Sequence, residues 1–384
     1  KWVRGGCMIN RSIKLDENVD WVEFKKIIGF VSESIVSYDI KENWINLEMK
    51  ESADIDVIIE QIVDLSHKYI ANKNLHKDIF YNNANITQYH TQVEDIFYFD
   101  DGMISLSNKA LFLYEFFNDR FLNMVYSEFK GECDIVEKLY PVLLPISAYK
   151  KTGYLKRTPQ YAMFCCSVCE NMNVLNELDK RMENNYKDII RNPEYALSPS
   201  ACFHVYEEYK NATLPNNTII TFTQSVFRNE GRFNFSEYGR MRDYHVREIV
   251  FIGDDLFVEN SRERMIKASE ELIKEMNINA TITIAADPFI LPKMQKYKKI
   301  QMIDKSKYEL RMTYDKKNDM SVASFNLHGT AFTSPFNISV MNKETVTGCI
   351  GYGLERFVLA FLAQYGDNID KWPAMVRNEY EKKA

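Results

Sequence analysis

The chain has 384 residues, 46% hydrophobic and 27% charged, enough to bury a large core without covalent staples. A formal charge of −6 gives no electrostatic reason to expect a nucleic-acid partner, although an acidic chain can carry a local basic face. Seven cysteines without regular spacing fit a reducing cytosol better than a disulfide framework, and no apolar run of about 18 residues reads as a membrane span, so the chain reads as cytoplasmic with no membrane partner.

Lys1 to Cys7 precede the first methionine, Met8, and read as an appended remnant. Residues 1–85 as a whole read as a small α+β module with its linker, and residues 86–384 as a second, larger domain. Within the module, 9–15 alternate as a strand, while Trp21, Phe24, Ile27, Ile28, Val31 and Ile35 follow helical spacing. Residues 37–41 and 44–49 read as a hairpin around Glu42-Asn43, and Val57, Ile58, Ile62, Leu65 and Tyr69 mark another helix. The module is either a stabilising appendage or a surface for RNA or another partner. The polar segment 72–92, with Asn82-Asn83-Ala84-Asn85, reads as the linker.

Residues 107–129 form the strongest helical pattern, with Leu111, Tyr114, Phe117, Phe121 and Val125 in an aromatic-rich stripe that Leu113, Phe116 and Leu122 widen. A proline-flanked apolar stretch, 139–145, and a turn-rich segment, 151–160, follow. Cys165, Cys166 and Cys169 have no second close-spaced pair to complete a metal site, so they read as small buried hydrophobes. Apolar alternation over 219–227 and 249–252 then marks two strands joined by a long hairpin loop. Side chains two apart on a strand share a face, which puts Arg242, Tyr244, Val246 and Glu248 on one side. That stripe is too polar for a core and suits a nucleotide and a cation. Residues 259–277 read as an amphipathic helix covering the sheet. In Gly351-Tyr352-Gly353-Leu354-Glu355-Arg356 a strand ends, two glycines let backbone approach a ligand, and a helix carrying an arginine opens.

Phe227-Arg228-Asn229-Glu230, 240–248 and 351–356 resemble the second and third signature motifs of class II aminoacyl-tRNA synthetases. The resemblance covers roughly 139–366 and implies an antiparallel sheet flanked by helices, an α+β class II synthetase core. It places Arg228 on the ATP α-phosphate, Glu230 on the adenine amino group, Arg240 on the outer phosphates, Tyr244 stacked on adenine and Arg356 on the far side of the triphosphate. Fixed guanidinium groups suit this task because adenylation concentrates charge on the α-phosphate, so Arg228 and Arg356 are the expected catalytic pair. Glu309 and Asn326 are expected near ATP-bound Mg2+. His328 reads as a structural or pocket-edge histidine. The long helix followed by a proline-containing strand resembles the family's first motif, which implies a homodimer.

A zinc-dependent branch of the class comprises atypical seryl-tRNA synthetases and the amino acid:carrier protein ligases similar to them. Cys202, Glu248 and Cys349 match that branch's zinc ligands in order and neighbourhood, and three ligands leave one tetrahedral position for the substrate amine. His245, where an arginine is expected, and Thr158, where an aromatic is expected, depart from the ligases. The resemblance therefore implies ATP-dependent activation of an amino acid with Zn2+ and Mg2+. The expected acceptor is the phosphopantetheine thiol of a carrier protein, because no long coiled arm or large RNA-binding domain remains once the core is counted. Transfer to tRNA by a seryl-like synthetase is the alternative. A catalytically silent regulatory paralogue is the reading from another class, against which the intact Arg228, Glu230, Arg240 and Arg356 argue.

Overall fold

The computed structural model describes residues 8–51, 54–69, 86, 88–183 and 186–383. Most of the expected linker, including Asn82-Asn83-Ala84-Asn85 and the boundary at 85, lies outside the described residues.

The N-terminal module is built from β1 (Met8–Lys14), α1 (Trp21–Val31), β2 (Ile35–Lys41), β3 (Trp44–Lys50) and α2 (Ile55–Ser66). Its three antiparallel strands run in the order β1-β3-β2. Glu42 adopts a left-handed backbone at φ 55 in the tight turn between β2 and β3. Asp20 starts α1 by accepting a hydrogen bond from the Glu23 amide at 3.2 Å, which satisfies one of the free N–H groups of the first turn. Phe24, Ile28, Ile35, Ile45, Met49 and Ile62 are fully buried and give the module its own core.

The larger part is organised by one seven-stranded sheet. Its elements are α3 (Asn108–Phe129), β4 (Asp134–Glu137), β5 (Thr218–Phe227), β6 (Asp243–Gly253), α4 (Asp255–Glu275), β7 (Ala280–Ile284), α5 (Gln295–Ile303), β8 (Lys307–Thr313), β9 (Asp319–Gly329), β10 (Val346–Gly353) and α6 (Leu354–Tyr365). The strand order is β7-β8-β9-β10-β6-β5-β4, antiparallel throughout except for the parallel edge strand β4.

One face of this sheet is apolar. Ile249 and Phe251 of β6, Phe325 of β9 and Ile350 and Tyr352 of β10 are fully buried there, under α3, α4 and α6. Phe121 of α3 stacks on Tyr352 with ring centroids 4.0 Å apart, and Phe117 and Phe357 pack at 5.3 Å. Each such ring contributes about 1.5–3 kcal/mol by leaving water. Leu113, Phe117, Phe121 and Val125 of the expected α3 stripe are fully buried, whereas Leu111 is 43% exposed and Ala110 takes the inward position. Cys166 is also exposed, and Cys165 and Cys169 are half-buried, so these three are not the buried hydrophobes the spacing implied.

Register carries the polar residues to the other face. Cross-strand pairing aligns Glu309, Ser324, Gly351 and Glu248 in one row, and Lys307, Asn326 and Cys349 in the next. The apolar face locks this register, because a slip by one residue would send every side chain to the wrong side. No helix among the described residues is long and apolar enough to cross a membrane.

Candidate active site

A cavity of about 1090 Å³ opens on the polar face, and all ten side chains assigned to a site from the sequence line it: Cys202, Arg228, Glu230, Arg240, Tyr244, Glu248, Glu309, Asn326, Cys349 and Arg356.

The arginine half lies beside the β5–β6 hairpin. Arg228 donates through Nε to the Pro199 carbonyl at 3.0 Å, with its guanidinium against the Tyr161 and Tyr244 rings. Arg356, in the first turn of α6, lies 4.8 Å from the Tyr244 ring centre and donates to the Gly239 and Ser321 carbonyls at 3.1 and 3.2 Å. Two fixed cations therefore flank one buried aromatic ring. Arg240 pairs with Glu230 at 3.2 Å and with Glu237 at 2.7 Å. The other Glu230 oxygen, Oε1, is buried without a hydrogen-bond partner. An uncompensated buried acceptor costs about 1–3 kcal/mol, so it marks a place where a ligand donor belongs. Gln160 Oε1 is a second such acceptor on the same wall, while its Nε2 donates to the Pro288 carbonyl at 2.8 Å.

The thiol half lies deeper. One ligand atom each from Cys202, Glu248 and Cys349 lie within 4.8 Å of one another, and all three residues are buried. Cys202 sits just ahead of a short helix, Phe203–Glu208, Glu248 is in the middle of β6 and Cys349 in β10. Gly351 makes room for them. A Cβ there would stand 2.9 Å from Glu248 Oε2 and 3.1 Å from Val246 Cγ1. Burial and the adjacent Cys202 thiol push the Glu248 carboxyl well above its ordinary range, and the Cys202 contact and burial do the same to the Cys349 thiol. Three buried acids cannot all ionise beside one another unless a cation joins them. Two sulfurs and one carboxylate at this separation suit a tetrahedral divalent ion with one position left over.

Asn326 lines the cavity beside Cys349. Its Nδ2 faces Ser324 Oγ at 3.2 Å and the Cys349 carbonyl and sulfur at 3.3 and 3.6 Å, and its cross-strand neighbour is Lys307. Glu309 instead lies between Arg311 at 2.9 Å and Lys307 at 3.5 Å, opposite Ser324. Burial opposes the charge on Glu309, but Lys307 and Arg311 keep it ionised. His328 is held neutral by burial, at about 4, with Nδ1 near Thr347 and Tyr206 and Nε2 3.6 Å from the Cys349 sulfur. Arg242 leaves the row expected for it. It precedes β6, stacks on Phe235 at 4.0 Å and donates to the Asp101 carbonyl. His245 points away too, bound to Glu355 through Nδ1 at 2.6 Å, so this departure from the ligase pattern does not touch the cavity.

Several wall residues were not found from the sequence. Asp287 and Lys307 form a pair at 2.9 Å in which the lysine outweighs burial and holds the carboxyl at about 2. Arg157 and Gln160 come from the segment read as turn-rich, which folds into the short helices Tyr154–Arg157 and Pro159–Tyr161. The N-terminal module also reaches the cavity, through Glu23, Lys26 and Phe30 of α1. It grips the hairpin loop at Arg232, which donates to the Ser32 and Ile35 carbonyls, and at Asn234, which donates to Lys26 O at 3.0 Å. Gly231 is required where Phe30 packs, since its φ is +84 and a Cβ would lie 2.7 Å from that ring.

Residues 181–365 match the family model described as tRNA synthetase class II core domain (G, H, P, S and T). The type-2 serine–tRNA ligase of Methanocaldococcus jannaschii is 28% identical over 275 residues, which is 67% of this chain and 53% of that protein. Its counterpart from Methanopyrus kandleri is 26% identical over 268 residues, 64% of this chain and 51% of that protein. The chain thus spans about half the length of the curated relatives it matches. In fold it is similar to an M. kandleri SerRS crystallised with A. aeolicus tRNASec, with TM-score 0.65, 18% identity, and 98% of this chain and 78% of that one covered. It is also similar to the seryl-tRNA synthetase of Pyrococcus horikoshii complexed with ATP, with TM-score 0.52, 13% identity and coverage of 73% and 57%.

These relatives overturn the carrier protein as the expected partner, because they are serine–tRNA ligases and the M. kandleri enzyme was crystallised with a tRNA. That expectation rested on chain length, which says nothing about the acceptor in a chain spanning half of its relatives. Its residues 181–365 form a class II aminoacyl-tRNA synthetase core domain, and the chain is homologous to the type-2 serine–tRNA ligases.

Proposed function

We propose that the chain activates an amino acid on ATP and passes the aminoacyl group to the 3′ end of a tRNA. The observation that carries this reading is the adjacency, in one cavity, of two arginines on an aromatic ring with a buried trio of two thiols and a carboxylate. In the first step a substrate carboxylate oxygen attacks the ATP α-phosphorus and pyrophosphate leaves. In the second a terminal ribose hydroxyl attacks the activated carbonyl and AMP leaves. Arg228 and Arg356 stabilise the charge that builds on the α-phosphate, as preorganised donors that need no rearrangement. Tyr244 stacks on the base, and the open Glu230 oxygen accepts from its amino group. Arg240 serves the outer phosphates, and Glu309 is the carboxylate that would hold the Mg2+ accompanying them. Asn326, turned to sulfur, orients Cys349 instead.

Cys202, Glu248 and Cys349 are the residues that would hold zinc, which supplies, when bound, a Lewis-acid site for the neutral amine of the substrate. Their free thiols fit a reducing compartment, which supports the cytoplasmic reading. The sequence-derived homodimer gains support from exposed apolar side chains, Leu139 at 89%, Val142 at 44% and Leu143 at 42%, and Phe164 at 46% on another strand of the small sheet that contains Leu143.

The test is amino-acid-dependent pyrophosphate exchange over a full amino acid panel, with zinc measured on the same sample. Exchange is expected with at least one amino acid, and Arg228→Ala lowers it by about 10²–10³-fold, the usual loss for one transition-state donor. Metal-replete protein without exchange for any amino acid would assign the chain to the silent paralogues.

A further inference from the structure

Charge is unevenly distributed in this acidic chain. Residues 138–169 and 288–303 together contain nine of the 48 lysines and arginines and none of the 54 aspartates and glutamates. These stretches are distant in sequence but meet in space. A cleft of about 390 Å³ has Lys151, Lys156 and Arg157 on one side and Met294 and Tyr297 on the other. Arg157, Tyr297 and Ala331 also line the main cavity, so the cleft adjoins it. Lys150, Lys151, Lys156, Lys293, Lys296 and Lys299 are exposed, and none of them forms an ion pair among the described residues. Tyr297 is 41% exposed, with Lys296 Nζ 5.2 Å from its ring centre. Lys298 turns the other way and pairs with Glu23 of the N-terminal module at 2.8 Å.

We infer that this saddle is the entry track for the single-stranded 3′ end of an RNA, with the lysines on backbone phosphates and Tyr297 as a platform for a base. The inference deepens, and rests on, tRNA as the acceptor. Unpaired surface lysines around an exposed ring match how single strands are held without sequence readout. An acidic protein would meet the same charge; the position of the cleft beside the cavity proposed to take a tRNA end favours RNA, and comparison with poly-glutamate tests it. The described residues 8–69 of the N-terminal module carry 13 acidic against seven basic side chains, less positive charge than the saddle offers. The saddle also answers the net charge of −6, which hides a local positive face beside the main cavity.

The full chain is titrated with a 12-nucleotide unstructured RNA ending in CCA over a range of salt, alongside a Lys151→Ala, Lys156→Ala, Lys293→Ala, Lys296→Ala variant. Single strands lose about 0.7 in the salt slope per phosphate contact, so four contacts give a slope of about −3 and the variant binds several hundred-fold more weakly at about 0.1 M salt. Tyr297→Ala weakens binding with the slope unchanged. Pyrophosphate exchange by the quadruple variant stays at the parent level, showing that it folds, while tRNA charging falls. An unchanged affinity and slope in the quadruple variant would overturn the track, and so would tighter binding of poly-glutamate than of the RNA. Absence of exchange in the parent protein would instead overturn the adenylation reading, and the RNA titration would still decide the saddle.

Discussion

Gly351→Ala probes the thiol half through geometry alone. Gly351 does not occupy the left-handed region, so alanine meets no backbone penalty there. The added methyl would lie 2.9 Å from Glu248 Oε2 and 3.1 Å from Val246 Cγ1. A relaxed contact needs about 3.5 Å, so one or both neighbours must retreat by about half an ångström. Val246 is β-branched and buried, which leaves little rotamer freedom. The Glu248 carboxylate is the softer partner, and the displacement falls on it. Overpacking of this kind costs about 1–3 kcal/mol of stability. Moving a ligand that the account places on zinc weakens the metal by at least the 10–100-fold typical of disturbing its supporting contacts. Gly353→Ala is the control, since its methyl meets Tyr244 Cε2 and the Val322 carbonyl at 3.4 Å, near ordinary contact. Zinc affinity is read by chelator competition, with folding followed by thermal melting. Gly351→Ala is expected to lose zinc and exchange while still melting cooperatively, and Gly353→Ala to keep its zinc. Wild-type zinc affinity in Gly351→Ala would refute the placement of Glu248 on the metal.

The docking of the N-terminal module yields further expectations. Arg232→Ala removes the two bonds from the hairpin loop to the Ser32 and Ile35 carbonyls, each worth about 1.5–3 kcal/mol because the donor is charged. Hydrogen exchange should rise across both α1 and the loop, and KM for ATP should rise with it; an increase confined to α1 would show that the module does not brace the loop. Glu23 gives the pH dependence. Burial disfavours its charge, yet Lys26 and Lys298 outweigh burial and lower its pKa from 4.5 to about 2. A depressed folded value means the stabilisation is complete above about 4.5 and is lost as pH falls toward 2. The pair is partly exposed, so the loss is about 1–2 kcal/mol. Protection of α1 from hydrogen exchange should therefore fall below pH 4.5, and Lys298→Ala should reduce that acid step.

Residues on strands were the legible ones. Tyr244 and Glu248 could be placed on one face because a strand alternates, whereas Cys349 and Glu309 were reached through the family resemblance; the apolar face that fixes the register is written in the same segments. Direction fails where a strand has not begun or where a neighbour competes. Arg242 precedes β6 and is taken by Phe235. Asp287, Arg157 and Gln160 come from segments without periodicity or a shared motif, so only the tertiary fold brings them to one wall, while Lys307 shares a strand face with Glu309 but carries no motif that singles it out. The contacts of Phe30 and Arg232 between module and loop join positions about 200 apart, which no local pattern encodes. The acceptor was misread for a different reason, since chain length carries no information about a surface. The basic saddle escaped because formal charge sums over the chain and hides its segregation.

The zinc site is tested most directly by X-ray absorption at the zinc edge of the metal-loaded protein, with and without the amino acid that supports exchange. Two sulfurs at about 2.3 Å and two nitrogen or oxygen atoms at about 2.0–2.2 Å are predicted, with only the light-atom shell changing when the amino acid is added. A shell with three or more sulfurs, or with none, would contradict the joint ownership of one ion by Cys202, Glu248 and Cys349.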